Sequence, residues 1–247
     1  MNNIELESVV NAKLKVHLFK DYTFNGLQVE GKKQVNSIIS GVSICQELLE
    51  YAIKKKVDAV IVHHGCFWNR DLHIIRGIQR KRLKKILSND INVYAWHLPL
   101  DVHKTLGNNF HIGRKLNINY QNNITKYVSW GNTDKKMTGI ELYKRIKKAF
   151  FRSPFYFGKT GSKYINKIAW CSGKGQSFIK QSGEFGVDAF ITGEVSEETI
   201  HYAKEYKIHF FSIGHYASER NGIKYLGRWL KKIYGLHVEF LDIYNPI

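Results

Sequence analysis

Residues 35–64 read VNSIISGVSICQELLEYAIKKKVDAVIVHH, and residues 165–194 read INKIAWCSGKGQSFIKQSGEFGVDAFITGE. The two stretches align without a gap at an offset of 130. Asn36, Ile38, Gln46, Val57, Asp58, Ala59 and Ile61 recur as Asn166, Ile168, Gln176, Val187, Asp188, Ala189 and Ile191. In each stretch an apolar run (35–41; 165–171) leads into a helical pattern (about 43–55; about 175–185) and a second apolar run (57–62; 187–192). Ile44, Leu48, Leu49 and Ala52 recur at helical spacing, while the flanking runs are rich in Val and Ile, as strands are. Strand, helix, strand favours neighbouring parallel strands joined by a right-handed crossover. A period of this length points to a duplicated domain, not a solenoid array.

Outward from these blocks the order repeats again. A helical stretch (about 74–88) leads to the strand pattern 91–96, and a second helix (about 196–206) leads to the strand pattern 208–213. Each of these strands runs into a His-x-x-x-acid sequence, His97 to Asp101 in the first copy and His215 to Glu219 in the second. The expected fold is therefore α/β, with two similar halves from an internal duplication (1–125 and 126–247, an approximate boundary).

The paired His63-His64 closes the strand pattern 57–62. Inside a strand, consecutive side chains face opposite ways, but at a strand's carboxyl end both rings can reach one crevice, where open α/β sheets place their ligands. Ser218 reads as the N-cap of a helix with apolar face Ile223, Leu226, Leu230 and Ile233, ending at Gly235, which puts Glu219 in its first turn. Pro99 marks His97 to Asp101 as a turn or the start of a helix. Imidazoles and carboxylates in this mixture suit zinc, iron or manganese better than magnesium or calcium. Two such cations outweigh Asp101 and Glu219 in charge, which invites an anionic substrate. The other histidines (His17, His73, His103, His111, His201, His209, His237) lack this context and read as structural.

Composition narrows the rest. No 18-residue apolar run is present, which argues against a membrane span. Residues 1–5 carry no secretory pattern, and Cys45, Cys66 and Cys171 are widely spaced, as expected for a cytoplasmic protein without a cysteine-based zinc module. The net charge of +17 is spread over several clusters and leaves two readings open. One is a solvated surface, the other a polyanionic partner contacted through Arg76–Lys85.

Six further stretches read together: Asp21-Tyr22-Thr23-Phe24-Asn25-Gly26-Leu27-Gln28-Val29-Glu30-Gly31, Val62-His63-His64-Gly65-Cys66-Phe67-Trp68, His97-Leu98-Pro99-Leu100-Asp101, Gly107-Asn108-Asn109, Thr192-Gly193-Glu194 and Gly214-His215-Tyr216-Ala217-Ser218-Glu219-Arg220. In these the chain resembles the GTP cyclohydrolase 1 type 2 homologue (Nif-three-like) family in its bacterial short form. The resemblance implies two similar α/β halves with a metal site between them, a dinuclear centre with His63, His64, Asp101, His215 and Glu219 as ligands, Glu219 bridging, His97 close by, and a toroidal homohexamer. Gly65 and Asn221 stand where many members carry proline and glycine; neither is an implied ligand. The expected activity is metal-dependent hydrolysis of a small-molecule substrate, a nucleotide or related heterocycle, with His97 or Glu194 shuttling protons. No Walker-type loop is visible, so lysine and arginine would recognise phosphate. Two other readings stand beside it: a non-enzymatic metal-handling or regulatory scaffold, and a nucleic-acid-binding toroid.

Overall fold

The Val/Ile runs of both blocks form strands, and each block buries them. In the computed structural model, which describes residues 1–69 and 74–247, the chain divides into two compact units. The first is Met1–Leu100 with Arg220–Ile243, the second Asp101–Glu219 with Tyr244–Ile247. His73 lies outside the described residues.

In the first unit, helix α1 (Asn3–Leu14) precedes β1 (Gly26–Val29), β2 (Ser37–Ser43), α2 (Gln46–Lys54), β3 (Ala59–His64), α3 (Gly77–Leu87) and β4 (Asn92–Ala95). The sheet order is β1-β4-β3-β2-β11, with β11 at His237–Phe240. Strands β2, β3 and β4 are mutually parallel, and β1 lies antiparallel on β4. One core cluster joins Leu48, Leu49 and Ala52 of α2 and Leu83 and Ile86 of α3 to Val60, Val62, Val93 and Ala95. α1 is tied to the same sheet by Tyr94, whose hydroxyl donates to the Asn3 carbonyl (2.9 Å), and by Trp96, whose Nε1 donates to Asn11 Oδ1 (2.7 Å). α3 buries only Leu83 and Ile86, and Lys85 pairs with Glu50, so the basic run there coats one apolar stripe.

In the second unit, α4 (Leu98–Val102) enters from the preceding unit and is followed by α5 (Asn108–Lys115), β5 (Ile118–Asn123) and β6 (Ser129–Met137). Then come α6 (Gly139–Phe150), β7 (Phe155–Phe157), β8 (Ile165–Trp170), α7 (Ile179–Glu184), β9 (Ala189–Thr192), α8 (Glu197–Glu205) and β10 (His209–Ser212). Helix α9 (His215–Tyr234) begins here and continues into the residues of the first unit. The sheet order is β5-β6-β8-β9-β10-β7. Side chains alternate cleanly: Ile168, Trp170, Ala189, Ile191 and Phe211 fill one core, and Ala169, Cys171, Phe190 and Phe210 the other. Helices therefore cover both faces, as parallel strands require.

The two sheets repeat one another in register. Ile38 pairs with Ala59 and Ser40 with Ile61; at the same offset of 130, Ile168 pairs with Ala189 and Trp170 with Ile191. β7 lies antiparallel on β10 as β1 does on β4. Helices α1 and α6 both open with a capping box (Asn2/Glu5; Thr138/Glu141) and close on a left-handed residue, Lys15 and Phe151. The Asp58 carboxylate accepts the amides of Asn36 (3.1 Å) and Ser37 (3.0 Å), and the Asp188 carboxylate accepts those of Asn166 and Lys167 (both 2.8 Å). The Val-Asp-Ala block shared by both repeats is thus a staple joining the start of each second strand to the start of the first.

The candidate metal centre

β3 extends through His64, two residues beyond the run read from sequence, and His64 stands opposite Ser43 of β2. The histidines still meet. The ring centroids of His63 and His64 lie 4.7 Å apart, and that of His97, which follows β4, lies 5.0 and 5.7 Å from them. One nitrogen from each of these three residues falls within 4.8 Å of the others. Trp68 packs its ring edge-on to His97 at 5.2 Å.

Each ring is oriented from behind. His63 Nδ1 donates to the Trp96 carbonyl (2.8 Å) and His97 Nδ1 to the Asp21 carboxylate (2.8 Å), and His64 Nδ1 meets Ser43 Oγ (2.8 Å). A carbonyl or carboxylate only accepts, so Nδ1 of His63 and His97 carries the proton and Nε2 the lone pair, the tautomer of a metal-binding imidazole. Asp21 also accepts from the Leu98 amide (2.9 Å) and Asn25 Nδ2 (2.8 Å), while Asn25 Oδ1 accepts the His97 amide (2.7 Å). Burial alone would raise the Asp21 carboxyl, but His97, Asn25 and the Leu98 amide together hold it below the usual carboxylate range. Asp21 belongs to the first stretch that carried the family resemblance, yet nothing local to it announces a partner 76 residues away.

The second unit gathers Asp101, Glu194, His215 and Glu219. Helix α9 starts at His215, not after Ser218. The expected N-cap at Ser218 is therefore corrected: Gly214, at φ +96, turns the chain into the helix, and Ser218 sits inside its first turn. There Ser218 Oγ donates to the His215 carbonyl (2.7 Å) and accepts the Gly173 amide (2.9 Å). His215 and Glu219, one helical turn apart, face the same way, with His215 Nε2 2.9 Å from the Glu219 carboxylate. His215 Nδ1 donates to Glu194 (2.7 Å). Burial pushes the His215 imidazole down in pKa, but Glu219 and Glu194 outweigh it and raise it to about 9.

Asp101 accepts from Ser172 Oγ (2.7 Å) and Asn108 Nδ2 (2.8 Å). Asn109 holds the same loop by accepting the Ser172 amide (2.8 Å). Gly173, at φ +61, lets this loop pass close to Glu219; a Cβ there would collide with the Glu219 carboxylate. Ser172, Asn108 and Asn109 went unassigned at the sequence level, although Gly107-Asn108-Asn109 belongs to the recognised motifs. Of the histidines read as structural, His209 is satisfied by Tyr156 (3.0 Å) and the Ser162 carbonyl (2.8 Å), and His103 Nδ1 accepts the Leu106 amide (3.0 Å).

The donor chemistry fits a borderline divalent cation: His63 and His97 set in the binding tautomer, the Asp101 carboxylate held by neutral donors, and glycine where a loop approaches Glu219. Fold and donors define an α/β protein with histidine and carboxylate groups able to hold a metal ion. The chain belongs to the Duf34/NIF3 (NGG1p interacting factor 3) family, whose model matches residues 1–246. It is 52% identical over 246 residues to a GTP cyclohydrolase 1 type 2 homolog of Buchnera aphidicola subsp. Acyrthosiphon pisum, covering all of both chains. It is 49% identical over 246 residues to the homolog from Escherichia coli strain K12, again covering both chains in full. Among solved structures it is similar to protein ybgI, described as of unknown function (49% identity, TM-score 0.98, full coverage of both chains). It is also similar to TTHA1606 from Thermus thermophilus (29% identity, TM-score 0.91, full coverage of both chains).

Proposed function

We propose that this protein holds two divalent cations, zinc, iron or manganese, through His63, His64, Asp101, His215 and Glu219. On this reading it is a metal-dependent hydrolase acting on a nucleotide or related heterocycle. The observation that carries the reading is the set of partners behind the rings: Trp96, Asp21 and Glu194 each take the Nδ1 proton of a histidine. Bound there, the cations supply Lewis acidity that acidifies water and offsets a developing oxyanion.

The chain's own residues do the rest. Ser172 and Asn108 donate to the Asp101 carboxylate and keep it aimed. Glu194 holds the Nδ1 proton of His215 and passes protons at that nitrogen. His97, backed by Asp21, carries a proton between water and substrate at Nε2. The name printed for the relatives, GTP cyclohydrolase 1 type 2 homolog, supports a nucleotide as the class to test first. The remaining parts of the proposal are a duplicated pair of halves near 1–125 and 126–247, a toroidal homohexamer, and a cytoplasmic location.

The test is formate release and GTP loss with protein loaded with Zn²⁺, Fe²⁺ or Mn²⁺ in turn. Turnover that vanishes in a His97→Ala variant of unchanged metal content supports the reading. Full metal occupancy with no formate and no GTP loss rejects the cyclohydrolase chemistry and leaves metal handling.

A further inference from the structure

Helix α9 carries both His215 and Glu219, and the residue before it, Gly214, has no side chain with which to cap it. The amides of the first turn therefore take acceptors from elsewhere. The Tyr216 amide finds one in the main-chain oxygen of Ile247 (2.9 Å), 31 residues further along the chain. That oxygen is held in place by a built turn. Asn245 Oδ1 accepts the Ile247 amide (2.9 Å), Pro246 fixes the backbone between them, and Arg152 Nη2 donates to the Pro246 carbonyl (2.7 Å). The Arg152 guanidinium also lies against Gly214, where any Cβ would strike it. Electrostatics does not explain this placement, since a cation at a helix N-terminus opposes the helix dipole. Packing and the hydrogen bond to the strap do.

We propose that Arg152 and the segment Asn245–Ile247 form a clamp on the first turn of α9, and that they are positioning residues for His215 and Glu219. The proposal rests on the metal reading above for its consequence, but not for the clamp itself. Asn245, Pro246 and Ile247 are exposed and lie outside the hydrophobic core clusters, so loosening them leaves the cores intact.

The test uses the full-length chain with Arg152→Ala, Arg152→Lys and Asn245→Ala. Amide exchange of the metal-free protein should run about tenfold faster at Tyr216 and its first-turn neighbours in Arg152→Ala and Asn245→Ala, with Leu226–Leu230 unchanged. Zn²⁺ affinity, read by competition with a chromophoric chelator, should weaken about tenfold or more in the same two variants. Arg152→Lys, which keeps a donor, should recover most of both. Unchanged exchange at Tyr216 overturns the clamp, and so does faster exchange along the whole of α9, which would mark a general loss of stability. Faster local exchange with unchanged Zn²⁺ affinity overturns the positioning role. Should the wild type and a His215→Ala/Glu219→Ala variant take up Zn²⁺ alike, the metal reading falls, while the exchange data still decide the clamp.

Discussion

Asp21 shows how much of the site depends on a single side chain outside the ligand set. Its carboxylate holds the ring of His97, the amide of Leu98 and the amide nitrogen of Asn25. Replacing it with alanine leaves those donors without their acceptor, at a cost of about 1–3 kcal/mol, measurable by urea unfolding; an unchanged midpoint would refute the assignment. Gly173 poses the opposite case, a residue defined by what it lacks. Gly173→Ala should cost about 1–3 kcal/mol from its left-handed backbone alone, and the displaced Glu219 should lower metal content in the folded variant. Both roles were invisible in sequence for the same reason. The candidate ligands announce themselves by residue type after a strand pattern, whereas Asp21 and Gly173 act on groups 76 and 46 positions away.

At the scale of elements, the repeated Val-Asp-Ala block was legible and its purpose was not. Apolar runs and helical spacing located six strands and the helices between them, because burial on both faces leaves a strong local signature. The β5–β6 hairpin was not anticipated: β5 buries only its first residue, so its sequence carries little apolar pattern. The start of α9 was misplaced because Ser218 has the chemistry of a cap, while the true entry point is a glycine. The Asp58 staple yields a test. Burial tends to raise the Asp58 carboxyl, but Lys32 and the Asn36 and Ser37 amides bring it below its ordinary value near 3.8. Its contribution is therefore present above about pH 4 and is lost as the pH falls through the lowered value. Asp58→Asn should lose about 1.5–3 kcal/mol at neutral pH, and the gap between variant and wild type should narrow in acid. A gap that stays constant down to pH 2 would contradict the staple.

For the whole molecule, the charge of +17 is spread over several clusters; on α3, Lys85 pairs with Glu50 and the helix buries only Leu83 and Ile86, which suits a solvated face. Among the described residues no helix is long and apolar enough to cross a membrane. On the proposed reading, the function rests on a His-x-x-x-acid arrangement that occurs once in each half, His97 to Asp101 in the first and His215 to Glu219 in the second. The most direct measurement is elemental analysis of the purified protein beside a folded His215→Ala/Glu219→Ala variant, each equilibrated with Zn²⁺, Fe²⁺ or Mn²⁺. The account expects about two ions per wild-type chain and a clear loss in the variant. Equal metal in the two proteins, or none in a correctly folded wild type, would contradict it.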